Sequence, residues 1–169
     1  MGNFSVSAQL LNGSFETWDE FGPEFWVNSN VSTQINSVIK SDDAQDGSSS
    51  IQMEIVNFAN LPFPAWVQSI NADGESGHPI SQKYSVLRGY IKTDLKGSSL
   101  FLITIFVSDE TNGAFGVGGL EINYSIPSWS SFEVPIEYFL DSTPKSIYVQ
   151  FTLSDSSNNG DLNSVGSTV

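Results

Sequence analysis

The sequence contains no cysteine. Disulfides, thiolate nucleophiles and cysteine-based zinc sites are therefore excluded. It contains one histidine, His78, so no second imidazole can join it on a transition metal. Basic residues are also scarce: 6 Lys and Arg stand against 19 Asp and Glu, a net charge of −13. Such a balance repels phosphate backbones and anionic lipids, which argues against nucleic-acid and membrane-surface roles. It equally disfavours uronate-rich or sulfated polysaccharides, and leaves neutral glycans, cations or basic proteins as partners. Long apolar runs are missing too. The longest, LFLITIFV at 100–107, has the length of a strand and not of a membrane span.

What remains is a chain of 169 residues, 39% hydrophobic and 12% aromatic, enough for one packed core. Its apolar pattern has period two. SIYVQFTL (146–153) alternates Ile147, Val149, Phe151 and Leu153 with Tyr148, Gln150 and Thr152. SSIQMEIV (49–56), VLRGYIKT (86–93) and SFEVPIEY (131–138) alternate in the same way, with Pro135 suited to an edge or a bulge. LFLITIFV reads as a central strand buried on both faces, and further strands are expected near 31–39, 66–70 and 115–126. Clusters of Gly, Asn, Asp and Ser at 41–49, 71–79, 94–99, 108–116 and 154–161 punctuate these runs. No stretch has helical periodicity. The expected fold is all-β, an antiparallel two-sheet β-sandwich of jelly-roll type.

The N-terminus carries NFSVSAQ (3–9), with Val6 and Ala8 at the spacing of a small-residue signal cleavage site. Residues 1–9 thus read as a signal-peptide remnant or disordered tail, which implies a secreted or cell-surface protein. Residues 10–169 read as a single β-sandwich domain.

One stretch concentrates aromatic residues: LLNGSFETWDEFGPEFWVNS (10–29) holds Phe15, Trp18, Phe21, Phe25 and Trp26. Asn12-Gly13 permits a turn with positive φ. Phe15 and Trp18 can then enter the core while Glu16 faces a loop. The form N-G-x-F-E followed by P-x-x-W resembles the first-strand signature of β-sandwich carbohydrate-binding domains. DAQDGSSSIQMEI (43–55) matches the D-G-S segment that follows it there. With VLRGYIKTDLKG (86–97), SSFEVPIEY (130–138) and SVGSTV (164–169), the sequence is most similar to the carbohydrate-binding or glycan-metabolism β-jelly-roll domains of secreted and surface proteins in Bacteroidetes-type bacteria. The resemblance implies non-catalytic binding of a neutral oligo- or polysaccharide. It also implies a structural Ca2+ held by Glu16 and carbonyls of the D-G-S segment. The family adds an aspartate from a final strand that is trimmed or absent here, and a turn-binding carboxylate is the alternative role for Glu16. Other domains of a larger surface protein are implied as partners.

The aromatic residues are the main binding resource, because sugar C–H faces stack on them. NLPFPAWVQS (60–69) reads as a rigid loop displaying Phe63 and Trp66. Trp129 lies in the turn IPSWSSF, and Phe115 in the glycine-rich TNGAFGVGG, which reads as a mobile rim. A second candidate surface is a polar sheet face of Gln52, Glu54, Arg88, Tyr90, Lys92, Tyr148, Gln150 and Thr152, provided their strands share one sheet. An ordinary solvated face, with Glu54 paired to Arg88 or Lys92, is the alternative. The candidate ligand-binding set is thus Trp66, Phe63, Trp129, Phe115, Tyr90, Arg88 and Glu54, with Glu16 for metal.

Catalysis finds little support. Glu133 and Glu137 are four residues apart on one strand, about 13 Å, beyond the carboxylate separation of glycosidases. No Gly-x-Ser-x-Gly elbow accompanies His78, which reads as a loop residue. DSSNNGD (155–161) opens like a calcium loop but has Gly166 where an EF-hand needs glutamate. A structural or adhesive module acting through protein contacts is the second reading, and a polysaccharide hydrolase or lyase the third.

Overall fold

The structure is a computed structural model describing residues 10–31, 34–111, 113–157 and 160–169. The signal remnant read at residues 1–9 lies outside the described residues. Thirteen strands follow one another: β1 Trp26–Asn28, β2 Val38–Ser41, β3 Ser50–Met53, β4 Val56–Phe58, β5 Leu61–Phe63, β6 Ala65–Ser69, β7 His78–Pro79, β8 Val86–Thr93, β9 Ser99–Ser108, β10 Ala114–Ile122, β11 Ile126–Pro135, β12 Glu137–Tyr138 and β13 Ser146–Asp155. A single 3-10 turn, Leu162–Ser164, is the helical content among the described residues.

The main sheet has the order β1-β6-β13-β9-β10-β12, with β7 added to the start of β13. Every pairing is antiparallel. The second layer is built from two antiparallel pairs, β2–β3 and β8–β11, the latter joined across the intervening β9 and β10 of the main sheet. The segment Ser167–Val169 joins them. Met53 and Val169 exchange two backbone hydrogen bonds, and Asp94 and Thr168 exchange two more on the other side. Fold class is thus as expected: a two-layer antiparallel β-sandwich.

Period-two patterning explains the layers. Val67, Ile103, Ile105, Val107, Val149 and Leu153 point inward from the main sheet. Val38, Met53, Ile91 and Val134 meet them from the second, with Ile55 and Ile136 just beyond its strand ends. Each such side chain contributes about 1.5–3 kcal/mol when taken fully out of water. Trp26 sits in the same core, its ring stacked on Phe151 at 5.7 Å and tilted against Phe15 at 5.1 Å.

Four expectations need correction. β9 is central, but only one of its faces is buried: Leu102 and Thr104 are half-buried and Phe106 is exposed on the other side. SFEVPIEY is not one strand. The chain breaks at Ile136, so Glu133 lies on β11 and Glu137 on β12, in different sheets. Phe115 is no rim residue. It is fully buried on β10, its ring 5.6 Å from that of Tyr138. The proline-rich loop also proves ordered into strands. Ala59 and Asn60, both with positive φ (53° and 62°), make the two-residue turn that pairs β4 with β5.

Candidate functional site: a groove across the second sheet

The opening stretch builds a brace. Asn12 adopts φ 47°; its side chain donates to the carbonyls of Thr17 and Glu24 and accepts from the Thr17 amide. This turns Glu16 toward the Asp46–Ser49 loop. Its carboxylate accepts from the Ser48 amide (2.9 Å), the Ser48 hydroxyl (2.5 Å) and the Ser49 amide (3.1 Å). The Ser48 side chain above all, with the two amides, lowers its pKa from 4.5 to about 2. Among the described residues, no group of three His, Asp or Glu is arranged to hold a metal ion. Glu16 is seen here as a carboxylate that pins the loop between β2 and β3.

That pinned loop forms one wall of a groove. The groove, about 350 Å3, crosses the outer face of the second sheet and is lined by Asp43, Ser50, Gln52, Lys92, Asp94, Trp129 and Thr168 among others. A neighbouring hollow of about 480 Å3 over β2 and β3 shares Ser41 and Gln52 with it. The opposite wall comes from β11. Ile126 pairs with Thr93, yet Ser130 pairs with Ile91, so two extra residues bulge out between them. A bulge re-aims side chains, and here it places Trp129 against the loop.

Asp43 ties the walls together. Its Oδ1 accepts from the Trp129 indole N–H at 2.9 Å, and its Oδ2 meets the Lys92 ammonium at 2.5 Å. Lys92 first, then Trp129, hold the Asp43 carboxyl below its usual pKa. The indole edge is thereby fixed, which orients its ring at the groove. Tyr90, 56% exposed, stands beside Lys92 on the outer side of β8, next to Arg88.

The sequence-derived candidates therefore divide. Trp129, Tyr90, Arg88 and Glu54 share the outer side of the second sheet. Trp66 does not: it lies on β6 with Ala65 and Val67 buried beside it, and so faces outward from the main sheet. Phe63 belongs to the β4–β5 hairpin and packs edge-on against Phe58 at 6.2 Å. Phe115 is in the core and cannot reach a ligand. The polar face splits as well, because Tyr148, Gln150 and Thr152 are on β13 of the main sheet, behind the core from Gln52, Glu54 and Arg88. Neither expected partner of Glu54 pairs with it: Arg88 bonds Glu133 at 2.7 Å, its cross-strand neighbour, and Lys92 bonds Asp43. His78 is buried, not a surface loop residue. Neither ring nitrogen finds a hydrogen-bond partner among the described residues. Burial lowers its pKa from 6.5.

Asp43 was not legible as a site residue. Its partners lie 49 and 86 residues away, and no local pattern announces such a contact.

Fold and site together define an antiparallel β-sandwich with an open polar and aromatic groove across one sheet. No protein-family model matches the sequence, and no curated protein is significantly similar to it. Solved structures do share the fold. One is the enzymatically active domain of tailspike protein 4 from bacteriophage CBA120, with TM-score 0.57 and 13% identity over 94% of this chain. Another is a glycoside-hydrolase-like protein from Bacteroides thetaiotaomicron, with TM-score 0.56 and 12% identity over 95% of this chain. The chain spans 20% of the first structure and 66% of the second. At such identities the likeness is one of fold.

Proposed function

We propose that this chain is a non-catalytic glycan-binding module that takes a neutral oligo- or polysaccharide into the groove of the second sheet, as part of an exported protein. The observation that carries the reading is Trp129, held at the groove by Asp43 and flanked by Lys92, Gln52 and Ser50. An aromatic plate with hydrogen-bonding groups around it matches the two sides of a sugar ring: apolar C–H faces and equatorial hydroxyls. The continuity of the two hollows through Ser41 and Gln52 suits a chain lying across the sheet. The two fold neighbours, a tailspike enzymatic domain and a glycoside-hydrolase-like protein, are in keeping with a carbohydrate-related setting.

Binding is favoured over hydrolysis by the state of the groove's Asp43 carboxylate. A general acid needs a raised pKa. Asp43 has a lowered one, held there by Lys92 and Trp129.

Affinity electrophoresis against glucan, xylan and mannan, with acidic polysaccharides alongside, tests the reading. Retardation is expected in at least one neutral gel and not in the acidic ones. Trp129→Ala is expected to weaken it by about thirtyfold, the equivalent of about 2 kcal/mol for a buried aromatic anchor. Failure of every polysaccharide to retard the wild-type chain would sink the proposal in favour of a structural or adhesive module.

A further inference from the structure

We propose that the outer face of the main sheet is a second, independent contact surface for a neutral saccharide chain, laid along β13 between Trp66 at one end and Tyr148 with Phe106 at the other. The register creates this face. Trp66 is the cross-strand partner of Thr152, and Gln68 of Gln150. Tyr148 is the partner of Phe106 on the next strand. Their neighbours along each strand are buried, or for Phe151 half-buried against the core, so all of them point away from the core.

Four residues of β13 separate the level of Trp66 from Tyr148, with one strand spacing across, which puts the two aromatic positions about 14 Å apart. At the far end the rings of Phe106 and Tyr148 sit 5.9 Å from one another, with Phe106 41% exposed. Between the aromatic ends runs a continuous polar line. The Tyr148 hydroxyl donates to the Gln150 carbonyl, and the Gln150 amide donates to the Thr152 hydroxyl at 2.9 Å. Stacking platforms at two ends with amide and hydroxyl groups between them are complementary to a short run of sugar rings.

Charge identifies the occupant. The protein carries −13, yet the outward positions of β6, β9 and β13 are uncharged, and the carboxylates of this face, Glu121 and Glu137, stand to one side on β10 and β12. The second sheet's face, by contrast, presents Arg88, Lys92, Asp94 and Glu133. An uncharged strip with hydrogen-bonding groups, flanked by carboxylates that repel anions, recognises a neutral, hydroxyl-rich partner. A second copy of this chain would bring its own −13 and be repelled over the rest of its surface.

The test uses the full chain with three variants: Trp129→Ala in the groove, and Trp66→Ala and the pair Phe106→Ala/Tyr148→Ala on the main sheet. Gels containing neutral glucan, xylan or mannan read binding, thermal melting reads folding, and sedimentation reads association. Phe106 and Tyr148 lie outside the core, so the paired variant is expected to melt close to wild type and stands if Trp66→Ala fails to fold. The proposal expects Trp129→Ala to keep part of its retardation in at least one gel, and addition of the Phe106/Tyr148 pair to weaken that remainder by about tenfold or more. Complete loss with Trp129→Ala alone, and none with the pair, overturns this surface while leaving the groove intact. The reverse pattern keeps this surface and removes the groove. A wild-type dimer that the pair dissolves without any change in retardation also overturns the proposal and names a second copy as the occupant.

Discussion

Gly47 offers the sharpest test of how the groove's wall is held. It has φ 77°, in the left-handed region, where an L residue costs about 1–2 kcal/mol. A Cβ placed there would lie 2.1 Å from Oε1 of Glu16. No side chain tolerates that approach, so in Gly47→Ala the carboxylate has to withdraw from the Ser48 and Ser49 amides. Backbone strain alone lowers Tm by about 2–8 °C in a domain of this size, and the displaced carboxylate adds to it. The assay is calorimetric melting at neutral pH of the wild type, Gly47→Ala, Glu16→Ala and the double variant. Since the new methyl acts partly by evicting Glu16, that loss cannot be incurred twice. The double variant is expected to fall by less than the sum of the singles. A Gly47→Ala protein that melts with wild type, or strictly additive shifts, would refute the reasoning.

Phe115→Ala is expected to destabilise by about 3–5 kcal/mol through the cavity it opens, seen as a lower denaturation midpoint, with glycan retardation unchanged wherever the protein stays folded. Acid is expected to weaken the fold in two legs. His78, whose folded pKa is lowered by burial, leaves stability full above pH 6.5 and removes it as pH falls below that value. Glu16, lowered from 4.5 to about 2, contributes fully above pH 4.5 and is lost as pH falls through about 2. Tm against pH resolves the two: His78→Gln should flatten the upper leg only, Glu16→Gln the lower only, and any other assignment contradicts these causes. Melting in calcium and in EDTA is expected to coincide, because the Glu16 oxygens already accept from three donors. A calcium-dependent rise in Tm would instead make Glu16 the metal ligand that the sequence resemblance implies.

Much of the fold was legible because period-two alternation is a local property. VLRGYIKT corresponds to β8 residue for residue, and SIYVQFTL to most of β13. What alternation does not encode is which sheet a strand joins. Tyr148 and Tyr90 both read as outward residues, and both are, but from opposite layers. Composition misled in two places for definable reasons. The apolar run of β9 suggested double burial, whereas Leu102 and Phe106 contribute an outer face. The glycines around Phe115 suggested mobility. In the structure they are spacers: a Cβ at Gly116 would lie 2.7 Å from the Tyr138 ring, so glycine there is what lets β12 close over the core. Trp129 was found as an aromatic in a turn. Its partner Asp43 was not, since the contact depends on a bulge in one strand pair and a braced loop in another.

The three-residue seam between β3 and β8 has a kinetic consequence. Met53 waits for Val169, and Asp94 for Thr168, so the second layer stays open until residues 167–169 have left the ribosome. Closing that span carries a loop-closure entropy that grows with its length, and non-local pairing of this kind slows folding. Until then the edges of β3 and β8 that receive the seam carry unpaired backbone groups, and such edges are where pairing with another chain competes with completion of the fold.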